Sequence, residues 1–258
     1  MAPRVDFFGL PLDPLSIDEA VGTVERFIAD GIAAEHGCLC PTTLIRSRDD
    51  ATYRETLSSF RMVTADGQSI VWAARVLGVH VPERVAGIDL MLALLPVAET
   101  KGYRVFLLGT TQDALAEAIE SIRRRYPRID IVGSHHGYFS AAEEAAVIEE
   151  IAAAKPDLLF LGMETPAKEY FVARHQATLQ VPFALGVGWT FDYIAGRKRR
   201  APRWIQRVGF EWAFRVVQEP RRLGRRFLVG NVRFVLLVAR ELPSLLRSRR
   251  MRPRAGHG

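Results

Sequence analysis

Cysteine is nearly missing from this 258-residue chain: Cys38 and Cys40 are too few and too close in sequence to staple a fold. A C-x-C pair without a second Cys/His cluster is also a poor metal site, and a reducing cytosol suits such a chain. No run of about 18 uncharged apolar residues occurs, so no membrane-spanning helix is expected. Arg4 and Asp6 interrupt any early apolar run, which argues against a signal peptide. A G-x-G-x-x-G fingerprint, a P-loop and an Asp-x-Asp pair are missing too. A standard dinucleotide or NTPase site therefore has no support.

What is present is ordinary globular material, 48% hydrophobic and 25% charged, enough to bury a large core in one domain or in a domain with an appendage. Its net charge of +6 hides an asymmetry. Residues 197–258 carry 18 Lys/Arg against Glu211, Glu219 and Glu241, a net of +15, while residues 1–196 carry a net of −9. The boundary at 196/197 divides an acidic body from a basic tail, and such a tail calls for an anionic partner: lipid, nucleic acid or a phosphorylated substrate. Arginine far outnumbers lysine, and its planar fork is the better match to phosphate oxygens.

Along the body, strands alternate with helices. Residues 7–12 form a short apolar strand of edge type, given Pro11. Ser16 and Glu19 read as the start of a helix reaching about Asp30. Cys38–Cys40 is a candidate buried strand ended by Pro41, and 43–59 reads as one helix. Further strands are expected at 104–109, 130–133, 157–162 and 183–188, with helices at 113–126, 143–153 (N-capped by Ser140) and 166–178. This spacing predicts an α/β fold with a mainly parallel sheet and helices on both faces. Gly109, Gly162, Gly186 and Gly188 fall at strand ends, where the backbone turns sharply or lets a nucleotide approach; each alone is equally a plain turn glycine.

The stretch from Met62 to Ile70 points to chemistry. An apolar strand end, Met62-Val63-Thr64, is followed by Ala65-Asp66-Gly67 and then by a helical run from Ile70. A carboxylate there lies where open α/β sheets bind ligands. The plainer alternative is that Asp66 caps the helix.

The tail differs in kind. Residues 204–218 read as helix, Pro220 and Gly224 suggest a bend, and Arg226, Arg233, Arg240 and Arg247 recur every seven residues beside Phe227, Leu228, Phe234, Val235, Leu237 and Val238. Three uses compete: a lipid surface, nucleic acid, or a basic helix packed on the acidic body. The abundance of Leu, Val and Phe favours lipid.

Taken together, Ala65-Asp66-Gly67, Glu83-Arg84-Val85-Ala86-Gly87-Ile88-Asp89-Leu90, Val105–Gly109, Gly137-Tyr138-Phe139, Pro156–Gly162, Phe191-Asp192, Ala195-Gly196, Arg200-Ala201-Pro202, Gly209–Trp212 and Gln218–Leu223 resemble the WecG/TagA/CpsF family of bacterial glycosyltransferases over nearly the whole chain. The resemblance implies a Rossmann-like sheet with a basic C-terminal helical appendage. It implies inverting transfer from a UDP-sugar donor to a polyprenyl-diphosphate-linked acceptor, with no cofactor and no obligatory metal. Asp66 matches the family's base; Arg84, Arg215, Arg222 and Arg225 match cations for the departing diphosphate. Cys38, Cys40, Gly109, Gly162, Lys168, Glu169, Gly186, Gly188 and Asp192 fall at donor-binding positions. The implied location is cytoplasmic, peripheral on the inner face of the bacterial plasma membrane, against anionic lipid and without nucleic acid; homo-oligomerisation stays open.

Three departures stand out. Cys38 and Cys40 replace a Thr-x-Asn pair, Pro166-Ala167-Lys168-Glu169 replaces Pro-Lys-Gln-Glu, and Trp189-Thr190 follows Gly188 where a second glycine is usual. The donated sugar is therefore left among N-acetylmannosamine-type sugars, glucose and glucuronic acid. The rival readings are a non-catalytic nucleotide-sugar or lipid-binding homologue and a nucleic-acid-binding protein with a basic tail.

Overall fold

The computed structural model describes residues 3–251, and the side chains of 222, 226 and 242–251 lie outside the described set. The elements run β1 (Val5–Phe7), β2 (Leu10–Leu12), α1 (Ile17–Ala29), β3 (Ala34–Leu39), α2 (Pro41–Asp49), α3 (Ala51–Ser59), β4 (Met62–Ala65), α4 (Gln68–Val76) and α5 (Gly87–Lys101). They continue β5 (Arg104–Gly109), α6 (Gln112–Arg125), β6 (Asp130–His135), α7 (Glu144–Ala154), β7 (Leu158–Gly162), α8 (Ala167–Leu179), β8 (Phe183–Gly186) and α9 (Thr190–Ile194). The chain ends in α10 (Arg203–Arg207), α11 (Glu211–Gln218) and α12 (Pro220–Met251).

Six parallel strands form the sheet, in the order β4-β3-β8-β7-β5-β6. Its central strands are apolar on both faces because helices cover both. Leu107 and Phe160 point into a core shared with α1, α5 and α6, whereas Phe106, Leu108, Leu159 and Leu161 point into one shared with α7 and α8. That is the two-residue period of a strand read out as two cores. A third core joins β1, β2, α2, α3 and α4 under β4.

Several elements differ from the expectation, each for a local reason. The apolar strand at 7–12 is a hairpin: Phe8 and Gly9 both take positive φ, 58° and 80°, the geometry of a two-residue turn. The helix at 43–59 is two helices, because the extended Asp50 ends α2 and its carboxylate accepts from the Tyr53 N–H to cap α3. Ser140 does not cap α7; Glu143 is the cap residue, and its side chain reaches back to the Ser140 N–H at 2.6 Å. The strand at Cys38 begins four residues earlier, at Ala34, and Cys40 lies beyond its end. The Ser16–Glu19 capping box forms as read.

The tail breaks at Gly209 (φ 69°) and at Glu219, so 204–218 is not one helix. Pro220 starts α12 rather than bending it, a position where proline's missing N–H costs nothing. One face of α12 packs on the body. Phe234 and Leu237 enter the third core, Gly230 comes against Thr42 of α2, and Arg233 forms a two-pronged pair with Asp49 at 2.5 and 2.7 Å. At least one of the recurring arginines thus binds the body.

Candidate active site

The C-terminal ends of the parallel strands form the rim on which the predicted residues gather. Because Leu39 pairs with Ala65, Cys40 and Asp66 leave β3 and β4 side by side, and the Asp66 N–H donates to the Leu39 carbonyl at 2.7 Å. Asp66 does not cap α4: the cap residue is Gly67 (φ 118°), and no side chain bonds to the helix end there. Burial pushes the Asp66 carboxyl above the usual aspartate range; Glu211 and Asp89 push the same way, against Arg84 and Arg215. Two cations, Arg84 and Arg215, thus act on the Asp66 carboxyl.

Behind it lies a neutral layer. Burial, then the Lys168 charge, pushes the His36 imidazole down to about 3. Thr64 Oγ1 uses its proton on the Val85 carbonyl (2.7 Å), so it must accept from His36 Nε2 (2.8 Å). His36 Nδ1 is then a bare acceptor facing the Cys38 sulfur at 3.9 Å. Burial and Asp66 hold the Cys38 thiol well above its usual range, so it stays protonated.

On the neighbouring side, Lys168 donates to Thr165 Oγ1 (2.5 Å) and to Glu169 Oε1. The buried Glu169 also accepts from Thr165 Oγ1 at 3.1 Å and from the Tyr53 hydroxyl at 3.3 Å, while its Oε2 has no partner among the described residues. The Lys168 stem lies on Gly186, where a Cβ would sit 2.5 Å from Lys168 Cε. Gly109 (φ 146°) is likewise packed, a Cβ there falling 2.5 Å from Gly162 Cα, and Gly162 lies against the Phe191 ring. Three of the four strand-end glycines serve close packing within the chain, and only Gly188 (φ 56°) has open space above it. Beyond Gly109, Thr110 Oγ1 donates to Asp192 at 3.3 Å, and Gly137 brings the exposed Tyr138 ring to the same rim.

Arg84 is engaged by carboxylates. Its Nη1 donates to Glu211 at 2.5 Å and its Nη2 to Asp89 at 2.7 Å. Arg215 lies over the Trp189 ring, 4.8 Å from its centroid. Arg225 is exposed on α12, and the Arg222 side chain lies outside the described set. Asp66, Arg84, Arg215, Cys38, Cys40, Lys168 and Glu169 therefore share the β4/β3/β8 end of the rim, with Gly109, Gly162 and Asp192 at the β7/β5 end. Among the described residues no three His, Cys, Asp or Glu side chains cluster as metal ligands.

Sequence reasoning did not assign His36, Tyr53, Asp89, Trp189, Arg200 or Glu211. Asp89, Arg200 and Glu211 lay in quoted motifs, but only the fold shows that they meet. A concavity of about 1000 Å³ lies at the other, N-terminal ends of β3, β4 and β8, lined by Arg4, Phe27, Glu35, Phe60, Arg61 and Gln176 among others.

Comparison with known proteins identifies the family. Residues 5–248 match the model of the family described as Glycosyl transferase WecG/TagA/CpsF. Three relatives are each named N-acetylglucosaminyldiphosphoundecaprenol N-acetyl-beta-D-mannosaminyltransferase. The one from Bacillus spizizenii is 34% identical over 67% of this chain and 66% of its own length. That from Staphylococcus aureus strain MW2 is 29% identical over 86% of this chain and 87% of its own, and that from Bacillus subtilis strain 168 is 30% identical over 84% and 83%.

Proposed function

The chain belongs to the WecG/TagA/CpsF family of glycosyl transferases, and from that premise we propose that it moves a sugar from a UDP-sugar to a polyprenyl-diphosphate-linked saccharide, with inversion, in surface-polysaccharide assembly. The observation that carries this reading is Asp66 at the strand ends, its carboxyl raised by burial, with Arg84 and Arg215 among the charges acting on it.

In the proposed step, Asp66 takes the proton of the acceptor hydroxyl while that oxygen forms its bond to the anomeric carbon. The anomeric C–O bond to the diphosphate breaks, and its electron pair stays on the departing UDP. Attack from the face opposite the leaving group inverts the anomeric centre. Arg215, with Arg222, supplies positive charge for the developing diphosphate, Arg84 holds the field beside Asp66, and Arg225, exposed on the outward face of α12, goes to the docking surface instead. Lys168, Glu169, Gly188 and Asp192 line the donor side, and Tyr138 offers a flat ring on which a base could stack.

The relatives' names favour an N-acetylmannosamine-type donor and an N-acetylglucosamine-diphosphate-polyprenyl acceptor; glucose and glucuronic acid remain in the panel. We assign 1–196 to a catalytic body and 197–258 to a membrane-docking appendage on the inner face of the plasma membrane. What supports docking is the outward face of α12, where Leu228, Val229, Val232, Val235 and Leu236 are all exposed, with Arg221 and Arg225 on the same side. No helix among the described residues is long and apolar enough to cross a membrane.

The test is UDP release across a panel of UDP-sugars with a GlcNAc-diphosphate-polyprenyl acceptor, and NMR of the new anomeric bond. Donor-dependent release with an inverted linkage supports the reading. Donor binding without turnover across the whole panel overturns it in favour of a binding protein.

A further inference from the structure

Two arginines and two carboxylates beside the rim form a closed ring. Arg84 bonds Glu211 and Asp89, as above. Arg200 bonds the same two, through Nη1 and Nη2 to Asp89 at 2.5 and 2.9 Å and through Nε to Glu211 at 2.8 Å. All four carboxylate oxygens accept, and side-chain exposures of 10–27% shield the ring from solvent. Buried charges of this kind persist only when paired and fully hydrogen-bonded.

The ring's members come from separate parts of the chain. Arg84 and Asp89 belong to the loop before α5 and to its first turn; Arg200 lies after α9, and Glu211 opens α11. Gln206 of α10 adds to the junction, donating to the Ala201 carbonyl at 2.7 Å and accepting from Arg84 at 3.4 Å. Glu211 is thus the side chain that carries α11 to the body. Arg215 follows it by one turn, on the same face of the helix. Fixing Glu211 fixes the rotation and depth of α11, and so sets where the Arg215 guanidinium stands over Trp189.

We propose that the Arg84–Asp89–Arg200–Glu211 ring is the latch that seats α10 and α11 against the strand-end rim, and that Glu211 is the positioning residue for Arg215. Its catalytic half rests on the transferase reading above; its structural half does not. Glu211 touches neither substrate in this scheme and acts through Arg215. Because Arg215 is assigned to charge that develops as the diphosphate leaves, its displacement is felt in kcat more than in donor KM.

The experiment uses the full chain with Glu211→Gln and Arg200→Lys, the latter keeping the charge but losing the fork that spans both carboxylates. Hydrogen exchange by mass spectrometry needs no turnover. Both variants should accelerate exchange across 203–218 by about tenfold or more while the β5 and β7 amides stay protected. In the transfer assay kcat should fall about 10–100-fold with donor KM within about twofold. Unchanged exchange across 203–218, or exchange raised equally throughout the sheet, overturns the latch. Local opening with wild-type kcat overturns the positioning role alone. A wild-type chain without transferase activity defeats the transferase reading, and the exchange arm still decides the latch.

Discussion

Cys40 and Asp66 emerge side by side from neighbouring parallel strands, and the Cys40 thiol bonds Thr42 Oγ1 at 3.0 Å. A thiol is a weak donor and a weak acceptor, and it does little to hold or to stabilise a nearby carboxylate. Asp66 therefore takes its electrostatic setting from charges beyond the strands: Arg84 from the loop before α5, Asp89 in α5, and Glu211 and Arg215 in α11. The proposed base belongs to the body, but part of its electrostatic setting comes from helices that follow residue 200.

Asp66→Asn should lower kcat by about 10²–10⁴-fold, the usual effect of removing a general base. It should not lower stability. A carboxyl whose folded pKa is raised contributes stability below its unfolded pKa, and that stability is lost as pH rises through the folded value. At neutral pH the native aspartate is a cost, and the neutral amide removes it. Melting at or above the wild-type temperature with activity nearly gone is the expected pair of results. A variant with near-wild-type turnover would remove Asp66 from the mechanism.

The pH profile carries the sign of the same field. The acid limb of kcat/KM should lie above the ordinary aspartate range of about 3.9, because the base works only once deprotonated. Arg215 lowers the Asp66 pKa, so Arg215→Gln should move that limb to higher pH as well as reduce kcat. The other groups in its field, Arg84, Asp89, Glu211 and Cys38, stay in place in that comparison. A limb that moves down, or does not move, would place Arg215 outside the field of the base.

How much of this was legible in the sequence follows from what each signal reports. The four-residue apolar run Leu158–Leu161 announced a strand covered on both faces, and the sheet bears it out. Ser16 and Glu19 announced a helix start because both halves of that cap are local. The hairpin at Phe8-Gly9 was hidden because a phenylalanine takes the positive φ that asparagine or glycine usually signals. The break at Asp50 escaped because its flanks keep helical composition. The sequence marks Arg84 as a cation for the departing diphosphate, but its two carboxylate partners are five and 127 positions away, a distance no local pattern reads. The tail's apolar residues were legible as amphipathic; that α12 has one apolar face against α2 and another facing outward was not, since both faces contain Leu, Val and Phe.

The His36–Thr64 bond has a consequence of its own. Since the Thr64 proton goes to Val85, the His36 tautomer with hydrogen on Nε2 is fixed, and the ring should remain neutral across pH 5–8, with a folded pKa pushed down to about 3. A depressed histidine contributes stability above its unfolded pKa, about 6.5, and that contribution is lost as pH falls towards the folded value. Thr64→Val should leave a buried Nε2–H without a partner, at a cost of about 1–3 kcal/mol in denaturant unfolding. Nitrogen-15 shifts of the ring that titrate near pH 6.5 would contradict the assignment.

The two faces of α12 make opposite predictions. Helical geometry of about 3.6 residues per turn puts Leu223, Phe234 and Leu237 on one side and Leu228, Val232, Val235 and Leu236 on the other. Phe234→Ala removes a side chain that is 4% exposed and should cost about 3–5 kcal/mol of stability, read from chemical denaturation. Replacing Leu228, Val232 and Leu236 together by serine removes no buried contact and should leave melting nearly unchanged. If the outward face docks on lipid, the triple variant should bind vesicles containing anionic phospholipid at least about tenfold more weakly, since each buried CH₂ is worth about 0.8 kcal/mol. Charge alone would give a different pattern: binding lost with salt but indifferent to the serines, as for a polyanion such as nucleic acid. Vesicle binding that survives the triple change, with salt-sensitive binding to DNA or RNA alongside it, would return the tail to a basic helix whose arginines and packed face are its only assets.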